Sequence, residues 1–107
     1  MMALTKSFNE TVKSRIQQSD KFRRALLREA VSCMIAGDVE TGKSVLRKYI
    51  NGTIGFVGLG EALGRSPKVL MRMFSAKGNP QAKNLFEIVA FLQKAEGTKL
   101  EVVNKAA

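Results

Sequence analysis

The chain has 107 residues, of which 45% are hydrophobic and 25% charged. This length fits one domain of ordinary globular composition, and it excludes a second hydrophobic core, wholesale disorder and a collagen-like fibre. The charge is less ordinary, because 18 Lys and Arg against 9 Asp and Glu give a net charge of +9. Such a surplus favours binding to a polyanion, either nucleic acid or acidic lipid.

The absence of histidine and the single cysteine narrow the possible chemistry. Without histidine the chain cannot form a Ser-His or Cys-His nucleophile pair or a histidine metal site. Cys33 has no partner for an internal disulfide, and the apolar stretch over residues 30–36 predicts a buried core thiol. We therefore expect a binding protein without cofactor or metal. The lack of a signal-like or membrane-spanning apolar segment indicates a soluble, cytoplasmic protein.

The first 19 residues are expected to form an extension that precedes the main domain. Its start, residues 1–6, shows no helical pattern and is expected to be loose. A short helix is then predicted from three apolar residues one turn apart, which are Phe8, Val12 and Ile16. The extension is a candidate site for a protein partner.

Residues 20–103 are predicted to form one helical domain, and its first helix has the clearest pattern. Ser19 or Asp20 caps the start of this helix, and Gly37 ends it with the left-handed residue common after a helix. Its core-facing residues are the apolar ones at helical spacing, namely Phe22, Leu26, Leu27, Ala30, Val31, Met34 and Ile35. A second helix is predicted over residues 40–50.

Residues 37–44 match the pattern G-x-x-x-x-G-K-[ST] of a phosphate-binding loop. That loop follows a buried strand, whereas the residues before Gly37 have the period of a helix. Asp20 and Asp38 are the only aspartates, so no downstream strand can supply the aspartate that helps to hold magnesium. We interpret the match as a coincidence and place residues 42–44 on the next helix.

The stretch from residue 56 to 75 predicts two short helices that meet at a tight turn. Gly64 can adopt the positive φ that the turn needs, and Gly60 is small enough to let the helices approach. Ser66 is a good N-cap, and Pro67 is favoured as the first residue of the second helix. The residues predicted to face the core are Leu59, Leu63, Leu70, Met73 and Phe74. This is the arrangement of a helix-turn-helix, whose second helix enters the major groove of DNA.

Basic residues cluster around the second of these helices. Five Lys and Arg but no acidic residue lie between Glu61 and Glu87. The positions that the core does not use are predicted to contact DNA, and these are Arg65, Ser66, Lys68, Val69, Met71, Arg72, Ser75 and Lys77. Arg72 is the best candidate for a bidentate contact to guanine, with Lys68 beside it in the groove. Lys77 and the two serines suit phosphate contacts.

The C-terminal part predicts a loop, a last helix and a tail. Residues 76–80 are a loop by composition, and a helix is predicted over residues 81–94, with Gly97 ending it. The residues buried by this helix are Leu85, Ile88, Val89 and Leu92. A short strand is suggested by Leu100, Val102 and Val103. This strand can either cover the core of its own chain or pair with a second copy, and residues 104–107 are expected to fray. The predicted class is all-α, with five or six helices.

These residues together resemble a known family. The residues that carry the resemblance are Leu59, Ala62, Leu63, Gly64, Ser66, Leu70, Phe74, Ser75, Gly78, Asn79, Pro80, Leu85, Ile88, Val89, Leu92, Gly97, Leu100 and Val102. With this pattern, the chain resembles the HigA-like (addiction module antidote) antitoxins, which are helix-turn-helix proteins of the lambda-repressor-like (Xre) superfamily. The resemblance implies a lambda-repressor-like DNA-binding domain, a homodimer on operator DNA, and a ribonuclease-type toxin of the RelE/HigB kind as partner.

The leading hypothesis is therefore a dimeric repressor that binds double-stranded operator DNA and, by resemblance, neutralises a toxin. A free-standing repressor without a toxin has the same sequence features. A protein-interaction module is an alternative of another class, in which residues 8–50 dock onto an acidic partner. An enzyme is the weakest candidate, because only lysines and Tyr49 would be left for acid–base chemistry. Binding of the basic helix to a membrane surface is disfavoured, because its apolar face suits a core.

Overall fold

The computed structural model describes the backbone of residues 2–106 and the side chains of residues 10–106. Within that part of the chain there are six helices and no strand. The helices are α1 (Met2–Gln18), α2 (Asp20–Ile35), α3 (Val39–Gly52), α4 (Gly55–Leu63), α5 (Pro67–Met73) and α6 (Ala82–Glu96). The predicted all-α class is confirmed. None of the described helices is both long enough and apolar enough to cross a membrane.

The hydrophobic core is one cluster that takes residues from α2 through to α6. Its buried members are Leu27, Ala30, Leu46, Tyr49, Ile50, Phe56, Leu59, Leu70, Phe74, Leu85, Ile88, Val89 and Leu92. The residues predicted to be buried around the tight turn and in α6 all belong to this cluster or pack against it. The helical spacing of apolar residues therefore identified most of the core.

Helices α2 and α3 are the most closely packed pair. Gly42 makes this possible, because a Cβ atom at that position would lie only 2.7 Å from the Ala30 carbonyl oxygen and from Cγ of Met34. Gly37 ends α2 with φ 92°, and Asp38 caps α3 by accepting the backbone N–H of Thr41 at 3.2 Å. The phosphate-loop pattern thus spans a helix end, a cap and the first turn of a helix, as the sequence prediction placed it.

Helix α1 is longer than predicted. It includes residues 2–6, which were expected to be loose, whereas Met1 lies outside the described residues. The first 18 residues contain neither Gly nor Pro, so nothing in the sequence interrupts the helix. Ile16 is buried at the C-terminal end of α1, where its side chain packs so closely on Gly52 that a Cβ atom at residue 52 would lie 2.7 Å from Cγ2 of Ile16.

The edges of α2 are more exposed than predicted. The N-cap is Ser19, whose Oγ accepts the N–H of Phe22 at 3.1 Å, and Leu27 is fully buried. However, Ile35 is exposed and Cys33 is only partly buried, so the prediction of a buried core thiol is wrong. Cys33 lies about 120° around the helix axis from Leu27, which places it at the margin of the buried face.

A polar network ties four helices together beside the core. Arg23 of α2 donates from Nε to both carboxylate oxygens of Glu96 on α6, at 3.0 and 3.1 Å, and from Nη1 to the Ile16 carbonyl of α1 at 2.8 Å. Arg23 also pairs with Asp20, and the Tyr49 hydroxyl of α3 donates to Glu96. Burial, followed by the Glu96 carboxylate, raises the pKa of Tyr49, while hydrogen bonding to Glu96 raises the pKa of Arg23. The charged groups of this network therefore hold helices together, and Arg23 is not available to bind a ligand.

The predicted C-terminal strand does not form. Gly97 ends α6 with φ 72°, and residues 98–106 adopt no helix or strand. Leu100 packs on the core and donates its N–H to Oε1 of Gln93 at 3.0 Å, whereas Val102 is 83% exposed and Val103 is similarly exposed. These residues favour a strand, but residues 2–106 provide no strand edge for them to pair with. Residues 104–106 of the expected frayed tail are exposed, and residue 107 lies outside the described chain.

Candidate nucleic-acid interface

Helices α4 and α5 are joined by the tight turn that the sequence predicts. Gly64 ends α4 in the left-handed conformation, with φ 66°, and Arg65 donates its N–H to the Gly60 carbonyl at 2.9 Å. Ser66 is extended and Pro67 is the first residue of α5, as predicted. Ser66 occupies the N-cap position, but its side chain makes no capping hydrogen bond. Its exposed hydroxyl is therefore not used to start the helix.

The turn closes tightly because Gly60 has no side chain. A Cβ atom at this position would lie 2.5 Å from the Arg65 carbonyl oxygen and 3.2 Å from Cγ of Pro67. The prediction that Gly60 allows the close approach is confirmed. Beneath the turn, Leu70 is fully buried, and the rings of Phe56 and Phe74 meet with their centroids 5.7 Å apart. The inner side of the two-helix unit is thus firmly packed.

The outer side of α5 is free of core contacts. An α-helix turns by about 100° per residue, so Lys68 and Arg72 lie on successive turns opposite the buried Leu70. Val69 is 46% exposed and Met71 50% exposed on either side of them. Neither basic side chain forms a hydrogen bond or ion pair with another described residue. The structure therefore brings these four predicted residues together on one exposed face.

The two serines and Lys77 differ in their surroundings. Ser75 is partly buried, and its Oγ donates to the Arg72 carbonyl at 2.7 Å. Its proton is therefore engaged within the protein, which leaves Ser75 a poorer phosphate donor than the sequence predicts. Lys77 is exposed in the loop after α5, and Ser66 is exposed before it.

Arg65 differs from the other predicted contact residues because it forms an ion pair. Its Nη2 lies 3.0 Å from Oε2 of Glu87 on α6. Both side chains are partly exposed, so the pair contributes little to stability, but it offsets the charge of Arg65. Arg65 is therefore the predicted contact residue with the weakest structural support.

Two basic residues of α3 hold the far end of α5, and sequence reasoning did not find them. Arg47 donates from Nη1 to the Phe74 carbonyl at 3.2 Å. Lys43 is only 2% exposed and donates from Nζ to the Gly78 carbonyl at 2.7 Å and to Glu40 at 3.3 Å. Its position three residues before the buried Leu46 was the signal that could have indicated burial. Lys43 is thus a structural residue and not a phosphate ligand.

The loop after α5 folds back closely onto the helix. A Cβ atom at Gly78 would lie 2.2 Å from the Arg72 carbonyl oxygen and 2.7 Å from that of Met73. Only glycine fits between these two carbonyl groups. Together with Lys43 and Arg47, this contact fixes the position of Lys77 relative to α5.

The described residues contain no group of three or more His, Cys, Asp or Glu side chains that could hold a metal ion. Comparisons of the chain with protein-family models, with curated proteins and with solved structures find no match.

Proposed function

We propose that this protein is a sequence-specific DNA-binding transcriptional regulator that inserts α5 into the major groove. The observation that carries the proposal is the exposed face of α5, where Lys68 and Arg72 lie opposite the buried Leu70 without partners among the described residues. An α-helix with its side chains is about 10–12 Å across, so α5 fits a major groove roughly 12 Å wide.

The charge around this face is complementary to DNA. Between Glu61 and Glu87 every charged residue is Lys or Arg. The side chains of Lys68 and Arg72 can reach base edges, and Lys77 and Ser66 flank α5 at the positions where phosphates follow the groove. The α4–α5 unit supports this use because its turn and its core are closely packed, which keeps α5 in a defined orientation.

The proposal is tested by the binding of duplex DNA taken from upstream of the protein's own gene, with a scrambled duplex of equal composition as control. We expect a clear preference for the upstream duplex. Arg72→Ala should weaken binding to the upstream duplex by about 1–3 kcal/mol and should relax the base preference at one position of the site. The matched control is Arg24→Ala, which removes an exposed arginine from α2 and should leave the preference unchanged.

Two outcomes would count against the proposal in different ways. Equal weakening on both duplexes would make Arg72 a phosphate contact. Failure to bind any duplex would favour the protein-interaction module instead, with the helices before residue 50 as its docking surface.

We propose further that the regulator is a homodimer, because seven residues of helix read only a few base pairs and two half-sites are needed for selectivity. An apolar groove of about 310 Å³ between α2, α6 and the tail is the candidate interface, and it is flanked by the exposed Ile35, Phe86 and Val102. Its lining contains one basic and one acidic residue, Arg28 and Glu101. Two copies of a chain with net charge +9 would repel each other least at such a neutral surface.

The dimer is tested by sedimentation of Phe86→Glu beside Val57→Glu, which changes an exposed residue of α4. We expect only the former to sediment as a monomer. An unchanged dimer in Phe86→Glu would exclude this interface.

The role of a cytoplasmic antitoxin that represses its own operon is supported by the family resemblance alone. A neighbouring reading frame for a small, basic ribonuclease-like protein, together with a stable complex of the two proteins, would support this role. Without such a neighbour the chain is better described as a free-standing repressor of the same kind.

A further inference from the structure

An open pocket of about 280 Å³ lies beside α5, between this helix and the loop that follows it. Its apolar lining includes Val69, Met73 and Pro80, and its basic lining consists of Arg72 and Lys77. The position of the loop is fixed by the contact of Gly78 with the end of α5. The pocket is thus a defined apolar surface with two positive charges beside it.

The apolar character of this surface is not required by the fold. Leu70 and Phe74 fill the core beneath α5, while Val69 remains 46% exposed. Valine is also a poorer helix former than most alternatives, so its presence does not help a seven-residue helix to form. Val69 is therefore available for contact with a ligand.

The chemistry of the pocket restricts which group it can accept from DNA. The bases present mostly hydrogen-bonding groups in the major groove, and the 5-methyl group of thymine is the apolar exception. This methyl group lies close to the phosphate backbone of its own strand. A lysine beside the apolar surface can therefore contact a phosphate while the methyl group occupies that surface. An apolar surface between two cations matches a methyl group beside an anion.

We propose that the pocket receives the 5-methyl group of a thymine in each half-site, with Val69 as the residue that selects it. This inference rests on the proposed function, because it requires α5 to lie in the major groove. Lys77 contacts the neighbouring phosphate, and Arg72 contacts an adjacent base pair. A thymine at one fixed position is thereby preferred over cytosine.

The test begins with the preferred duplex, which is selected from a library of random sequence by the purified full-length protein. Each thymine is then replaced singly by deoxyuridine, which removes only the methyl group and keeps the hydrogen-bonding pattern. We expect one position in each half-site at which this replacement weakens binding about fourfold, the effect of one methyl group transferred from water to apolar surroundings. The other positions should show no change.

Protein variants then assign the effect to the pocket. Val69→Ala should bind thymine and deoxyuridine duplexes equally at that position, whereas the matched control Val103→Ala, in the exposed tail and outside the proposed dimer interface, should keep the fourfold difference. Alanine favours a helix, so Val69→Ala is expected to fold, which circular dichroism should verify before binding is measured.

The possible failures are distinguishable. If the library yields no preferred sequence, both the proposed function and this inference are overturned. If a sequence is preferred but deoxyuridine has no effect anywhere, or if its effect persists in Val69→Ala, this inference alone is overturned. If the pocket instead binds an apolar side chain of a protein partner, deoxyuridine should have no effect at any position.

Discussion

Two basic residues of α2 and α3 and two of α5 are used in opposite ways. Arg23 and Lys43 point inward: Arg23 donates to oxygens of α1 and α6, and Lys43 donates to the Gly78 carbonyl in the loop after α5. Lys68 and Arg72 lie on the surface without a partner among the described side chains. A count of charges therefore does not locate a binding surface, since Arg23 and Lys43 are needed to complete the fold and only Lys68 and Arg72 are left for a ligand.

The exposed basic residues of α2 sharpen this difference. Arg24 and Arg28 are exposed, like Lys68 and Arg72, but α2 also carries Asp20 and Glu29, so its surface has charges of both signs. On α5 no acidic residue interrupts the positive charge. A phosphate backbone is therefore attracted more consistently to α5 than to α2.

The largest expected effect is the loss of stability when an inward cation is removed. Arg23→Met leaves Glu96, whose side chain is only 7% exposed, without its guanidinium partner. We expect the free energy of unfolding to fall by about 3 kcal/mol, because an uncompensated buried charge is costly. Urea denaturation measures this change, with Arg24→Met as the exposed control that should shift stability by less than about 0.5 kcal/mol. Equal stability of the two variants would remove the distinction between inward and outward cations.

A smaller loss is expected for Lys43→Met. This change removes the hydrogen bond to the Gly78 carbonyl and should lower the free energy of unfolding by about 2 kcal/mol. That bond also holds the loop that carries Lys77. The affinity of the variant for DNA should therefore fall even under conditions in which the variant is fully folded. The exposed Lys48→Met on the same helix is the control for both measurements. Full stability in Lys43→Met would mean that the loop is held by Gly78 and Arg47 alone.

The outward cations should show the reverse behaviour. We expect Lys77→Ala to change stability by less than about 0.5 kcal/mol and to weaken binding to all duplexes alike. The slope of log affinity against log salt should fall by about one, as for the loss of one phosphate contact. Lys94→Ala, an exposed residue of α6, should leave the slope unchanged. A loss confined to one duplex sequence would instead assign Lys77 to base contact.

The smallest effect concerns Cys33, which belongs to neither group of cations. Desolvation, followed by hydrogen bonding to Glu29 with Sγ 3.6 Å from Oε1, raises the pKa of its thiol. The thiolate is the reactive form, so the alkylation rate of Cys33 at neutral pH should be lower than that of a small free thiol. This rate should continue to increase at pH values where the small thiol has reached its maximum rate. Saturating DNA should not change this rate. Glu29→Gln should lower the pH at which the rate is half-maximal.

Much of the fold was predictable because the relevant signals are local. Gly37 and Gly97 predict where α2 and α6 end, and Pro67 predicts where α5 begins. The tight turn follows from Gly60 and Gly64. The exposed face of α5 follows from the helical period, which assigns Leu70 to the core. These features depend on backbone preferences and on spacings within one or two turns.

The remaining features depend on partners that are distant in sequence. Arg23 and Glu96 are separated by 73 residues, and Lys43 and Gly78 by 35, so no local pattern pairs them. The predicted strand at Val102 failed for a related reason, since its formation requires an edge that the described chain does not provide. Cys33 was misplaced because apolar neighbours along the sequence include residues at the margin of the buried face.

The short length of α5 has a consequence for how such a protein can change over time. Only Leu70 and Met73 of this helix pack towards the core, so substitutions at positions 68, 69, 71 and 72 leave the packing intact. A new sequence preference can therefore evolve one residue at a time without a loss of stability at each step. Under the proposed function, the protein and its DNA site can then diverge together while the scaffold stays the same.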